Sequence, residues 1–273
     1  MAFPVILYDS ILRDTGASVV ASSTETGDFA ASYLSDFLPW KMWKSGTLVT
    51  GITIDIDLGA DTGTADTIGL VNHNITSEAG TIELRADAAA GANPPTTVRQ
   101  AAYTPTYGDV DLQTFTEASN LRRWRIVLAK GGNFTNKPFI GELFIGSRTT
   151  LTEYLSPDID PFMKQVMATS ERTEGGHFAG ATLRGQMHRF TLGFGEAGGS
   201  RSAMAPVMTF LDSHAYLLRP FIFQIDSADT DFKKPVYLKK TDDGEVSRRA
   251  VGGVWSRLGL SIPVEEAWTE AAS

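Results

Sequence analysis

The chain has 273 residues, 42% of them hydrophobic and 21% charged, with no cysteine and a formal net charge of -8. That apolar content builds a core and excludes a disordered chain, and the acidic balance excludes a protein that wraps nucleic-acid phosphates by bulk electrostatics. The missing thiols exclude a disulfide framework, a thiol nucleophile and Cys-ligated zinc, and no apolar run approaches the ~20 residues of a membrane span.

The start, MAFPVILYDSILRD, holds a short apolar run at 5–7 with no basic flank and a break at Tyr8-Asp9, so no signal peptide is expected. With 26 glycines and 12 prolines, the composition suits many short strands joined by tight turns. In the stretch LPWKMWKSGTLVTGITIDIDLG (38–59), Ile52, Ile54, Ile56 and Leu58 alternate with Thr53, Asp55 and Asp57. Period two predicts a strand with one buried face. Further strands are predicted at 67–72, 81–86, 121–128 and 140–145, with Trp124, Ile126 and Leu128 on one face of the strand at 121–128. The segment 87–98, DAAAGANPPTTV, reads as a loop. The polar segment 147–161 carries two prolines, Pro157 and Pro161, and marks a domain boundary, giving domains 1–147 and 148–273 that are expected to fold independently.

Beyond it, a strand is predicted at 186–193. The segment 202–218 reads as a helix, with Met204, Val207, Met208, Leu211, Ala215 and Leu218 forming one apolar stripe and Pro206 in the first turn. Strands follow at 220–225, 235–239, 246–251 and 255–262. The second half is therefore a sheet with one packed helix.

Chemistry-bearing motifs are few. There is no GxSxG, HExxH, GxxxxGK[ST] or strand-to-helix GxGxxG, and His73, His177, His188 and His214 are scattered. Asp212-Ser213-His214 juxtaposes triad residue types on different faces of the predicted helix and reads as exposed surface. Asp55 and Asp57 share the solvent face of one strand and read as solvated carboxylates rather than an acid/base pair. Asp226, Asp229 and Asp231 lack the spacing of a cation loop. His73, between Asn72 and Asn74, reads as satisfied by turn hydrogen bonds. No catalytic residue, cofactor or metal site is expected.

In order, ASSTETGDFAASYLSD (21–36), ITIDIDLG (52–59), TIGLVNHN (67–74), GTIELRA (80–86) and FIGELFIG (139–146) resemble galactose-binding-like, discoidin-type jelly-roll domains. The resemblance implies that Trp43, ahead of the Asp-Leu-Gly strand, packs in the core. Trp40 has no such counterpart and is the candidate glycan contact, since the C–H face of a sugar packs on an aromatic ring. In the back half, HRFTLGFG, the predicted helix and RPFIFQID resemble the tail-tube-like β-sandwich of phage tail proteins. The fold class expected is thus mainly β: an N-terminal jelly-roll β-sandwich plus a C-terminal tail-tube-like sandwich or barrel with one packed α-helix.

Together the halves resemble a distal-tail or tail-tip (baseplate) protein of a long-tailed, siphovirus-type bacteriophage. This implies a homo-oligomeric ring, six copies expected and three the alternative, that links tail tube to tail tip. Its partners would be tube, hub and fibre proteins, its peripheral domain would meet a host cell-surface glycan or a fibre, and it would reside in the virion tail after assembly in the host cytoplasm. The Gly-bearing segment 170–182, with Glu171, Arg172, Gly175, Gly176, His177 and Phe178, is the expected ring-interface loop. Basic clusters are brief (Arg122-Arg123, Lys233-Lys234, Lys239-Lys240, Arg248-Arg249), so no stable DNA binding is expected even if DNA traverses the ring. The rival readings are a free-standing carbohydrate-binding module and a polysaccharide-degrading enzyme, the latter requiring a deep acidic cleft.

Overall fold

The computed structural model describes residues 4–14, 16–151, 164–172, 178–194, 205–226, 234–241, 247–251 and 254–267. The chain is mainly β and divides into two compact units, one of residues 1–150 with 221–236 and the other of 151–220 with 237–273. The segment 221–236, read from sequence as part of the second domain, thus clusters with the first unit.

The first unit opens with β1 (Val5–Leu7), β2 (Ser18–Ala21), β3 (Trp43–Lys44), β4 (Gly51–Asp57), β5 (Gly63–His73) and β6 (Thr81–Asp87). It continues with β7 (Val98–Tyr103), β8 (Val110–Leu121), β9 (Arg123–Ala129), β10 (Phe139–Gly146) and β11 (Thr149–Thr150). Two antiparallel sheets, β3-β10-β5-β8 and β2-β4-β9-β6-β7, share one core. Register explains how that core forms. Ile52, Ile54 and Ile56 lie opposite Leu128, Ile126 and Trp124 on β9, which lie opposite Ile82, Leu84 and Ala86 on β6. Each row is fully or almost fully buried, and each large side chain contributes roughly 1.5–3 kcal/mol of burial. A one-residue slip would turn every row to solvent.

Alternation fades where both faces are covered. In β5, Thr67 through Val71 are all buried, because Ile68 and Leu70 face the shared core while the other side is packed over. A side chain at Gly69 would meet Ile222 Cδ1 at 2.5 Å and Leu7 Cδ2 at 3.1 Å. Strands β5 and β10 therefore read as nearly continuous apolar runs.

In the second unit, β12 (Lys164–Arg172) and β13 (Phe178–Phe194) form an antiparallel hairpin, followed by α1 (Ala205–Ser213). Next in the chain come β14 (Phe221–Gln224), which pairs with β1 in the first unit, and then β15 (Val236–Lys240), β16 (Ser247–Val251) and β17 (Val254–Glu266). The second unit's sheet runs β15-β17-β13-β12, with β16 also on β17. The segment expected as a loop at 170–182 is strand in its described part, with Arg172 opposite Phe178 and only 173–177 lying outside the described residues. Backbone ladder bonds, rather than any hydrophobic alternation, define that hairpin.

The helix is shorter than its apolar stripe predicts. It ends at Ser213, and a 3₁₀ turn at Ala215–Leu217 follows. Thr209 and Ser213 donate their hydroxyls to the carbonyls of Ala205 and Thr209, an arrangement that competes with the helical ladder. His214 then leaves helical geometry and Leu218 turns left-handed at φ 56°. Val207, Phe210, Leu211 and Ala215 are buried, whereas Leu218 is exposed. Met204 lies outside the described residues.

Candidate functional site

The two tryptophans of the opening stretch take opposite roles. Trp43 is fully buried on β3, its Nε1 donating to Thr24 Oγ1 at 3.3 Å. Trp40 is 58% exposed. It sits in a turn closed by Lys41 N donating to the Leu38 carbonyl at 2.7 Å, and Leu38 N donates to Asp36 Oδ1 at 2.9 Å. A third bond comes from across the unit: Asn72 Nδ2 donates to the Pro39 carbonyl at 2.7 Å. Asn72 can reach it because it takes a left-handed backbone at φ 53°, a conformation asparagine tolerates. The turn also presses on β10, where a Cβ at Gly141 would lie 2.3 Å from the Pro39 carbonyl oxygen.

Gly141→Ala should therefore push this turn off β10 and cost about 1–3 kcal/mol, the usual penalty of overpacking. Thermal unfolding of the variant checks this, and an unchanged midpoint would show that the turn is not clamped there.

The same end of the sandwich gathers other loops, because β5 ends and β10 begins beside this turn. Glu78 ties them together. Its carboxylate accepts from Thr135 N at 2.7 Å, Asn136 N at 3.0 Å, Asn136 Nδ2 at 2.6 Å and Lys130 Nζ at 3.1 Å. The backbone N–H of Thr135 leads the bonds that hold this carboxyl down at about 2, against the cost of burial. Asn74 donates Nδ2 to the Lys137 carbonyl and accepts from Phe139 N through Oδ1. Phe134 N donates to the Leu48 carbonyl at 2.9 Å, and the side chains of Leu48 and Val49 are exposed.

His73, expected to be satisfied by turn hydrogen bonds, is buried at this end with neither ring nitrogen in good hydrogen-bond geometry. Burial pushes its pKa down to about 4, and the Tyr107 backbone and the Asp109 carboxylate oppose that only in part.

The other sequence candidates separate. Asp55 and Asp57 are not simply solvated. Arg125 binds both oxygens of Asp55 at 2.5 and 2.7 Å, and Arg122 binds both oxygens of Asp57 at 2.6 and 3.1 Å. The Arg122 bonds, with one from Gly59 N, hold the Asp57 carboxyl below its usual range. These half-exposed pairs order the outer sheet face more than they stabilise it, and two carboxylates each held by an arginine do not form an acid/base pair. Of the triad-like trio, Asp212 and Ser213 are exposed while His214 is buried, its Nε2 2.6 Å from the Pro220 carbonyl oxygen. Asp226 is buried, and Asp229 and Asp231 lie outside the described residues. Among the described residues, no three His, Asp or Glu side chains gather as metal ligands, and no helix is long and apolar enough to cross a membrane. Of the expected ring-interface residues, Glu171 and Arg172 end β12, Phe178 begins β13, and Gly175, Gly176 and His177 lie outside the described residues. The clamp formed by Asn72 and Gly141 was missed in the sequence; the only signal was a glycine inside an apolar strand, FIGELFIG, which marks close backbone approach.

No family model and no curated protein matches the chain. Solved structures do. Chitosan-binding module 1 of a chitosanase/glucanase from Paenibacillus sp. IK-5 is 20% identical, with a TM-score of 0.41, over 50% of this chain and 98% of that one. The lectin domain of lectinolysin, complexed with Lewis B antigen, is 18% identical, with a TM-score of 0.40, over 51% of this chain and 96% of that one. A GH29 fucosidase of Ruminococcus gnavus, in complex with fucose, is 19% identical, with a TM-score of 0.40, over 52% of this chain. The match spans only 27% of that fucosidase's length.

Proposed function

We propose that the first unit is a carbohydrate-binding sandwich that takes a pyranose ring on the exposed face of Trp40. The observation that carries this reading is how that side chain is presented: 58% exposed, on a turn bonded through Leu38, Pro39 and Lys41 and pressed against Gly141. A turn already ordered loses little freedom on binding, and polar groups around an aromatic face can take the sugar hydroxyls. No catalysis belongs to this reading. The test is a panel of immobilised neutral glycans probed with the intact chain and with Trp40→Ala. Retention of at least one glycan, weakened about tenfold or more in the variant at unchanged thermal stability, is expected. Retention of none, or equal retention by both proteins, would sink the proposal.

A second reading places this unit on a larger assembly: a subunit of the ring at the distal end of a bacteriophage tail, joining tube to tip, with the sandwich turned toward host glycan or fibre. It is favoured by chain order alone: β13, which carries most of HRFTLGFG, then α1, then β14, which lies in RPFIFQID, follow in the order implied by the resemblance to tail-tube-like domains, although β14 clusters with the first unit. Native mass measurement tests it. A closed ring of six or three copies supports the tail reading, and a monomer at micromolar concentration leaves the free-standing binding module.

A further inference from the structure

A separate cleft opens on the outer face of the five-stranded sheet. Its volume is about 110 Å³, and Ser18, Val20, Asp55, Asp57, Asn93 and Arg123 are among the residues that line it. Strand register explains the gathering. Ser18 and Arg123 flank Asp57 from the two neighbouring strands, and Val20 flanks Asp55. Asn93 comes from the loop between β6 and β7, which is tied down along its length. Thr96 N donates to Asp87 Oδ2 at 2.7 Å, Ala89 N to Asp61 Oδ1 at 2.6 Å, and Arg123 Nη1 to the Gly91 carbonyl at 3.2 Å. The wall is therefore built before any ligand arrives.

The hydrogen-bonding capacity left over in the cleft is unevenly placed. Both carboxylates are committed, Asp55 to Arg125 and Asp57 to Arg122. Arg123 is different: among the described residues it makes no ion pair, and its Nε is buried with no acceptor. Its bond to Gly91 uses only one corner of the guanidinium fork. The Nε is out of a ligand's reach, and a planar, singly charged carboxylate matches the donors left at the outer, Nη end of the guanidinium. A phosphate dianion matches less well, because two aspartates stand beside it. Val20, 62% exposed on the same face, offers an apolar surface of the size of one ring edge.

We propose that this cleft binds a single carboxylated sugar residue. Its carboxylate would lie on the Arg123 guanidinium, its hydroxyls on Ser18, Asn93 and the outer lone pairs of Asp55 and Asp57, and its C–H edge over Val20. The site is distinct from the Trp40 turn, so the two can be tested apart. The experiment titrates the whole chain with D-galacturonate and D-glucuronate, and with D-galactose as the uncharged control, by heteronuclear NMR. Expected is saturable binding of at least one uronate, with shifts at Ser18, Asn93 and Arg123. Arg123→Gln should weaken binding read at these residues about tenfold, and Trp40→Ala should leave the shifts at these residues unchanged. Asn93→Ala, at a solvent-facing loop position, provides a second weakened variant should Arg123→Gln fail to fold. Absence of saturable uronate shifts at Ser18, Asn93 and Arg123, equal affinity in the cleft variants, equal galactose shifts at those three residues, or loss of their uronate shifts in Trp40→Ala would each overturn the proposal.

Discussion

Replacing Arg13 by methionine is expected to destabilise the first unit by about 3–5 kcal/mol above about pH 8, where its partner Glu142 is ionised, the cost of stranding a buried charge. Arg13 donates through Nη2 to Glu142, whose side chain is fully buried on β10, and through Nε to the Ser35 carbonyl at 3.2 Å. Its guanidinium lies 3.6 Å from the Phe37 ring centroid and 4.5 Å from that of Phe144, so it is held between two aromatic faces. Burial pushes the Glu142 pKa up to about 8 even though the Arg13 charge pulls the other way. With a pKa of about 8 the Glu142 carboxyl is largely protonated at pH 7, so there the loss of Arg13 removes its hydrogen bonds and its packing between the two rings, and above about pH 8 it also strands a buried carboxylate. Chemical denaturation of Arg13→Met, Glu142→Leu and the double variant separates the contributions. The double variant should recover most of the loss, because two apolar side chains replace a buried pair with little penalty. A loss below about 1 kcal/mol for Arg13→Met would mean that the pair behaves like a surface ion pair.

Acidification is the second large effect. The His73 pKa in the fold is about 4, against 6.5 when unperturbed. The unfolded chain therefore takes up the proton first as pH falls. His73's contribution to stability is complete above about pH 6.5 and is lost progressively toward about pH 4, by up to about 3 kcal/mol. Glu142 works in the opposite direction. Its raised pKa contributes stability that is fully present below 4.5 and is lost as pH rises through about 8. The two would partly mask each other in a simple pH scan. The measurement that isolates His73 is the difference in urea midpoint between wild type and His73→Leu at several pH values from 7 to 4. The difference should shift steadily in favour of the variant as pH falls. A constant difference across that range would show that His73 is not the acid-sensitive group.

What could be read without coordinates follows from local physics. The alternation at 52–58 and 121–128 is a period-two signal that any half-buried strand must carry, and β4 and β9 fall on it. Strand β8 carries no such signal, because its exposures along Val110–Leu121 do not alternate, and β2 and β3 are too short to show a period. The strand predicted at 186–193 falls within β13, but the part of the hairpin at 170–182 reads as loop because serine, threonine and glycine in KQVMATSER and FAGATLRG interrupt any apolar pattern, while the ladder needs only backbone groups.

Of the candidate site, the sequence determined the residue types: one tryptophan ahead of an alternating strand with reason to pack, and another beside a proline with none. Their separation into a buried Trp43 and an exposed Trp40 agrees with that reading. Only the tertiary structure decided how Trp40 is held, because its turn depends on Asn72 and Gly141, distant in the chain and brought together by the pairing of β5 with β10. The same holds for Arg13 with Glu142, for Glu78 with the 130–136 loop and for the cleft between Ser18, Asn93 and Arg123. Periodicity reports which face of an element is buried; it carries no information on which distant side chain will share that face, and that choice belongs to strand order and register.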